Sequence, residues 1–71
     1  MTYQFIADGS ATYTIPACRM DTIEIIANRA IHYLGSEFKI GSIQGTDKFV
    51  GLTFLVNIPT NGDIIIVRGE K

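Results

Sequence analysis

Cysteine is all but missing from this 71-residue chain: Cys18 stands alone, so no disulfide can form within it. Histidine is equally scarce. His32 is the single one, and no cysteine, histidine and carboxylate cluster has metal-ligand spacing, so neither a metal nor a cofactor is expected. The basic residues Arg19, Arg29, Lys39, Lys48, Arg68 and Lys71 are scattered among acids, which removes the clustered positive charge that nucleic-acid binding draws on. No run of about twenty apolar residues exists, so no membrane-spanning helix is expected. The opening MTYQFIADGS lacks a basic segment followed by an apolar core and does not read as a signal peptide. A cytoplasmic setting is expected, and a lone unpaired thiol fits it.

The length predicts a single domain, and a domain near this size buries only about 60% of the surface its unfolded chain exposes. Small domains compensate with disulfides, metals or oligomerisation. With the first two excluded, self-association is the expected device.

What is present in abundance is aliphatic strand sequence. The stretch Phe49 to Arg68, FVGLTFLVNIPTNGDIIIVR, reads as two strands, Lys48 to Ile58 and Asp63 to Arg68, around a Pro-Thr-Asn-Gly turn. Alternation puts Val50, Leu52, Phe54, Val56 and Ile58 on one face, with Phe49, Gly51, Thr53, Leu55 and Asn57 on the other. Ile64 to Val67 is apolar on both sides, a pattern that normally means burial on both faces. Phe38 to Gln44 forms a further strand, with a bulge expected at Gly41 and a turn at Gly45 to Asp47.

Upstream, Thr2 to Ala7 and Ala11 to Ile15 predict a hairpin around Asp8-Gly9, with Phe5 opposite Thr12; a loop one residue longer would set Phe5 against Tyr13. Pro16 ends that hairpin. Asp21 then reads as a helix N-cap, with Glu24 completing a capping box and Met20 and Ile25 a hydrophobic staple. The helix is expected to run to Leu34, with Gly35 just beyond it, and to bury a stripe of Ile23, Ile26, Ala27, Ala30, Ile31 and Leu34. The predicted fold is therefore α+β: a two-layer ββαβββ domain, one helix on a mostly antiparallel sheet that can curl into a partial barrel.

No catalytic constellation stands out. On the predicted helix His32 falls on the polar face, a solvated histidine rather than a base. Cys18 beside Arg19 reads as a small hydrophobe more than a nucleophile. Asp8, Asp21, Glu24, Glu37, Asp47 and Asp63 are accounted for mainly by turns and caps, and the glycines match no phosphate-binding loop. Gly51 interrupts a strand, which suits a bend.

Two candidate contact surfaces follow. Phe49 and Leu55 lie on the strand face turned away from the helix, and Ile25, Arg29, His32 and Tyr33 share a second helix face where Arg29 and Tyr33 can stack. The expected function is a non-enzymatic protein-binding module, homodimeric, that occupies a surface of another protein, as phage and mobile-element inhibitors of host systems do. Two alternatives stand beside it. One is a small-ligand or nucleotide cleft at a dimer interface. The other is single-stranded nucleic acid stacked on Tyr3, Phe5, Tyr13, Phe38 and Phe49, which the charge balance disfavours.

Overall fold

The computed structural model describes residues 1–70. The described residues form seven strands: β1 (Thr2–Ile6), β2 (Thr12–Pro16), β3 (Glu24–Ala27), β4 (Ala30–His32), β5 (Phe38–Ile43), β6 (Thr46–Phe54) and β7 (Ile64–Arg68). They form two separate sheets, a four-stranded one in the order β1-β7-β3-β4 and a three-stranded one in the order β2-β6-β5, with every ladder antiparallel. The sheets do not close into a barrel.

The expected helix is absent, and with it the α+β class. Among the described residues the only helical piece is a 3-10 turn at Met20–Thr22. Its place is taken by the β3–β4 hairpin, in which Ile25 faces His32, Ile26 faces Ile31 and Ala27 faces Ala30. The physical reason lies in the residue types. Thr22, Ile23, Ile25, Ile26 and Ile31 are β-branched, stiff at χ1 and suited to a pleated surface. Asn28 and Arg29 then adopt φ of 51° and 63°, the two positive values that a two-residue type I′ turn requires. The apolar residues that repeat at helical spacing also repeat at period two, as Ile23, Ile25 and Ala27, and it is this second set that turns inward.

The N-terminal hairpin is also corrected. β1 and β2 are strands, but they do not pair. β1 lies against β7, with Phe5 opposite Ile65, while β2 lies against β6, with Tyr13 opposite Leu52. Asp8-Gly9 is a corner between the sheets: the Ser10 N–H donates to Asp8 Oδ1 at 2.9 Å, and Gly9 takes φ of 92°. Likewise β5 and β6 form a hairpin, yet β6 does not continue into a meander with β7. The chain leaves β6 after Phe54, passes through Asn57 at φ 51°, and crosses to the other sheet. The irregularity expected at Gly41 falls between Ser42 and Ile43, and Gly41 instead sits opposite Gly51.

Ile15, Phe38, Leu52 and Phe54 from the three-stranded sheet pack with Ile25, Ala27, Ile65 and Val67 from the four-stranded one, and Ala7 joins them from the corner. Each fully buried aliphatic or aromatic side chain contributes about 1.5–3 kcal/mol relative to exposure. Phe5 and Tyr13 fill the space between the sheets with rings 4.9 Å apart, and Tyr13 meets Phe54 edge-on at 6.2 Å.

The outer faces differ sharply. On the three-stranded sheet, register places Thr12, Thr53 and Lys39 in one row and Thr14, Gly51 and Gly41 in the next, a polar and small surface. On the four-stranded sheet the middle row runs Gln4, Ile66, Ile26, Ile31 and the row above it is Ile6, Ile64. This second face is aliphatic.

Candidate functional site

Period two decides where each predicted contact residue ends up. Ile25 points inward and is fully buried, so it belongs to the core rather than to a contact surface. His32, opposite it on β4, is only 5% exposed and packs edge-on against Phe54 with ring centroids 5.6 Å apart. The expected solvated histidine is thus an interior one. Arg29 is exposed in the β3–β4 turn, and Tyr33 is exposed just past β4. Phe49 and Leu55 are both exposed but lie six residues apart, one within β6 and the other just past its end, about 20 Å apart along an extended chain. Leu55 is instead tied to the segment that carries Tyr33, because its N–H donates to Glu37 O while Glu37 N–H donates to Tyr33 O. Of the aromatics expected to stack on bases, Phe38 is buried and Phe5 and Tyr13 lie between the sheets. Tyr3 and Phe49 remain exposed, on different sheets, and make no shared platform.

A helix over residues 21–34 conceals the aliphatic face of the four-stranded sheet, which appears only when those residues are strands. Ile6 is 67% exposed, Ile64 52% and Ile31 47%, and half-buried Ile26 and Ile66 share the row of Ile31, next to the row of Ile6 and Ile64. The row at the lower end is Thr2, Arg68, Glu24, in which Arg68 and Glu24 approach to 3.8 Å and offset each other's charge. At the upper end a depression of about 370 Å³ is lined by Ile26, Ile64 and Ile66 together with Asn28, Arg29 and Asp63. Contiguous apolar surface rimmed by polar groups is the usual mark of an interaction face.

A second feature is a polar cleft of about 370 Å³ between the β3–β4 turn and residues 57–63. His32 and Glu37 line it, with Asn28, Asn57, Thr60 and Asp63 at its polar walls and Ile58 and Pro59 at its apolar one. Glu37 is held in place by the Tyr33 N–H, which donates to Oε1 at 3.3 Å. Its Oε2 stands 3.5 Å from His32 Nδ1, too far for a good hydrogen bond, and Nδ1 is the buried side-chain polar atom left without a partner among the described residues. Asp63 is anchored in turn, accepting from Thr60 N–H and Oγ1–H at 2.9 Å each. Among the described residues no lysine or arginine lines this cleft.

Cys18 has no α-helix terminus beside it, only the short 3-10 turn at Met20–Thr22. Burial pushes its thiol above the ordinary value of 9.0, so it is a poor nucleophile at neutral pH. It packs against Gly69, where a Cβ would meet its Sγ at 2.7 Å. No group of three or more potential metal ligands occurs among the described residues, and no helix there is long and apolar enough to cross a membrane.

No family model matches the chain, and neither a curated protein nor a solved structure does.

Proposed function

We propose that the chain is a non-enzymatic, homodimeric protein-binding module that pairs with a second copy of itself through the outer face of its four-stranded sheet, in a cytoplasmic setting. The observation that carries this reading is the uncovered set of Ile6, Ile26, Ile31, Ile64 and Ile66 on that face. A flat, β-branched surface packs best on another sheet, with strands within about 30° of each other. A two-fold axis running across the strands brings the Asn28–Arg29 end of one copy over the Glu24 end of the other. The isoleucine rows then meet each other, and Arg29 comes over the Glu24–Arg68 pair, whose charges already offset each other. The same operation repeats both contacts, as an isologous interface demands. A copy of this chain is therefore an occupant matched in its apolar rows, whereas a strongly charged partner finds no complement on the face. Tyr33, Leu34 and Leu55, exposed around the 33–37 segment, stay outside that contact and remain for a different protein.

Light scattering coupled to size exclusion, run over a hundredfold dilution, tests the reading. A dimer is expected, and Ile31→Lys combined with Ile64→Lys should convert it to a monomer with an unchanged circular dichroism spectrum. A wild-type monomer throughout, or a dimer indifferent to both lysines, overturns it.

A further inference from the structure

The four sheet edges are not alike, and β1 is the one without a device against further pairing. Exposed edges are ordinarily blunted by charge, proline, a bulge or shortness. β2 ends in Pro16, β4 is three residues long, and β5 carries Lys39 and the irregularity between Ser42 and Ile43. β1 has none of these: it reads TYQFI, uncharged, and is exposed at every position but Phe5. Met1 and Gly69 exchange both backbone bonds, at 2.7 and 3.1 Å, and the Ala7 N–H donates to Asp63 O at 2.8 Å. Alternation therefore turns the bonds of Tyr3 and Phe5 toward β7 and leaves the N–H and C=O of Thr2, Gln4 and Ile6 on the free edge. Among the described residues β1 has no neighbour on that side. We propose that this edge pairs antiparallel with the β1 edge of a second copy, about a two-fold axis at Gln4, joining two four-stranded sheets into one.

The free groups fix the register. Opposing Gln4 to Gln4 sets Thr2 against Ile6 of the second copy and Ile6 against its Thr2. Each of these pairs exchanges two bonds, so every free donor and acceptor of both edges is satisfied at once. A shift by one residue sets the free groups against residues whose own bonds already face β7. A shift by two sets Thr2 against Asp8, whose N–H is engaged by Tyr13 Oη at 3.3 Å, or carries Ile6 past Thr2, where β1 ends. The favoured register also brings Tyr3 beside Phe5 of the second copy, a cross-strand aromatic pair of the kind that stabilises sheets. The charges select the same occupant: with no ionised side chain on β1, an identical strand meets no like charge, and a charged strand finds no complement. Room for the incoming chain lies where that Phe5 arrives, in an open groove of about 700 Å³ lined by Met1, Thr2 and Tyr3 together with Pro16, Ala17 and Cys18. The contact does not rest on the isoleucine face. Its axis stands perpendicular to the sheet, whereas the axis of the face contact lies in the sheet plane, so the two form together or fail separately. One short strand pair buries little surface, so the edge contact fills only at about 1 mM protein, above the range in which the face dimer is read.

The test is a cysteine scan of β1 in a Cys18→Ala chain that also carries Ile31→Lys and Ile64→Lys, so that the face contact makes no contribution. Directly opposed residues of a hydrogen-bonded pair have Cα atoms about 5.5 Å apart, within reach of a disulfide. Under mild oxidation with glutathione disulfide, Gln4→Cys should give a covalent dimer with an unchanged circular dichroism spectrum. Thr2→Cys alone and Ile6→Cys alone should not, because the like residues stand about 13 Å apart along the strands, whereas an equimolar mixture of the two should. Hydrogen exchange on the chain with native β1 and both lysines gives a second reading that needs no cysteine. The Gln4 and Ile6 amides should exchange more slowly as protein rises toward about 1 mM, and the already bonded Tyr3 and Phe5 amides should not change. Equal cross-linking at the three positions, or none at any of them, overturns the proposal. Exchange at Gln4 and Ile6 that is indifferent to concentration overturns it as well.

Discussion

Phe5 and Tyr13 stand with ring centroids 4.9 Å apart and planes tilted by 44°, although β1 and β2 belong to different sheets. Their contact is one of the few aromatic links across the gap between the two layers. A double-mutant cycle of Phe5→Leu and Tyr13→Leu should return a coupling of about 0.5–1.5 kcal/mol in denaturant unfolding. A coupling of zero would mean that the two sheets do not depend on this pair.

The β3–β4 hairpin makes opposite forecasts from a helix at the same place. Ile25→Ala should cost about 2–5 kcal/mol, because Ile25 is fully buried. Ile26→Ala should cost well under that and act mainly on self-association, since Ile26 faces outward. A helix burying Ile26 and exposing Ile25 would reverse the order.

Arg29 holds φ of 63°, a conformation that costs a non-glycine residue about 1 kcal/mol or more. Arg29→Gly builds the preferred Asn-Gly turn and should stabilise the fold by about 0.5–1 kcal/mol, raising the melting temperature by a few degrees. In a helix the same change would lower it by a similar amount. The sign alone decides.

Gly69 and Cys18 are in close contact near the lower end of the four-stranded sheet. Gly69→Ala places a Cβ 2.7 Å from Cys18 Sγ and 3.2 Å from its Cβ, so it should destabilise by about 1–3 kcal/mol. Adding Cys18→Ala removes the sulfur and should restore part of the loss, the nearer contact being gone. In the native chain the thiol should alkylate with iodoacetamide more slowly than free cysteine. Its folded-state ionisation is raised by burial, so its contribution to stability is complete below about 9.0 and lost as pH climbs through the folded value.

Asp8 titrates in the other direction. The Ser10 backbone N–H on its carboxylate holds its folded-state value below 3.8. Its contribution is therefore present above pH 3.8 and lost as pH falls through the folded value. Asp8→Asn keeps the acceptor oxygen and removes the charge. The urea midpoint of the variant should lie slightly below that of the wild type at pH 7, and the two should converge as pH falls through the folded value, which gives the variant the shallower acid limb.

Most strands were legible in the residues. Thr2 to Ala7, Ala11 to Ile15, Phe38 to Gln44 and Asp63 to Arg68 agree with β1, β2, β5 and β7 to within a residue or so at each end, because alternation and flanking turns mark them. Their partners were not. Asp8-Gly9 is a local hairpin signal, and it lost to Ile64–Val67, a strand apolar enough to take a central place between β1 and β3. The segment 21–34 misled for a different reason. Its isoleucines satisfy helical and strand periods at once, Asp21 and Glu24 imitate a capping box, and only the density of β-branched residues argues for the extended form. That one substitution hid both candidate surfaces. A strand reading puts His32 opposite Ile25 and turned inward, and it gives Ile26 and Ile31 the row that Ile66 continues.

The central position of β7 also sets the order in which the molecule can assemble. During synthesis β1 emerges early and finds no neighbour, and the β3–β4 hairpin presents Ile26 and Ile31 to solvent with one edge open. Only β5 and β6, and β3 and β4, join partners adjacent in the chain; β1 waits for a strand some sixty residues later, since Thr2 pairs with Arg68. Closing so long a loop before any contact rewards it makes for slow folding, in the millisecond-to-second range of non-local β topologies. Until β7 is released from the ribosome the larger sheet has a gap in its middle, and nascent chains at that stage expose sticky edges to chaperones and to one another.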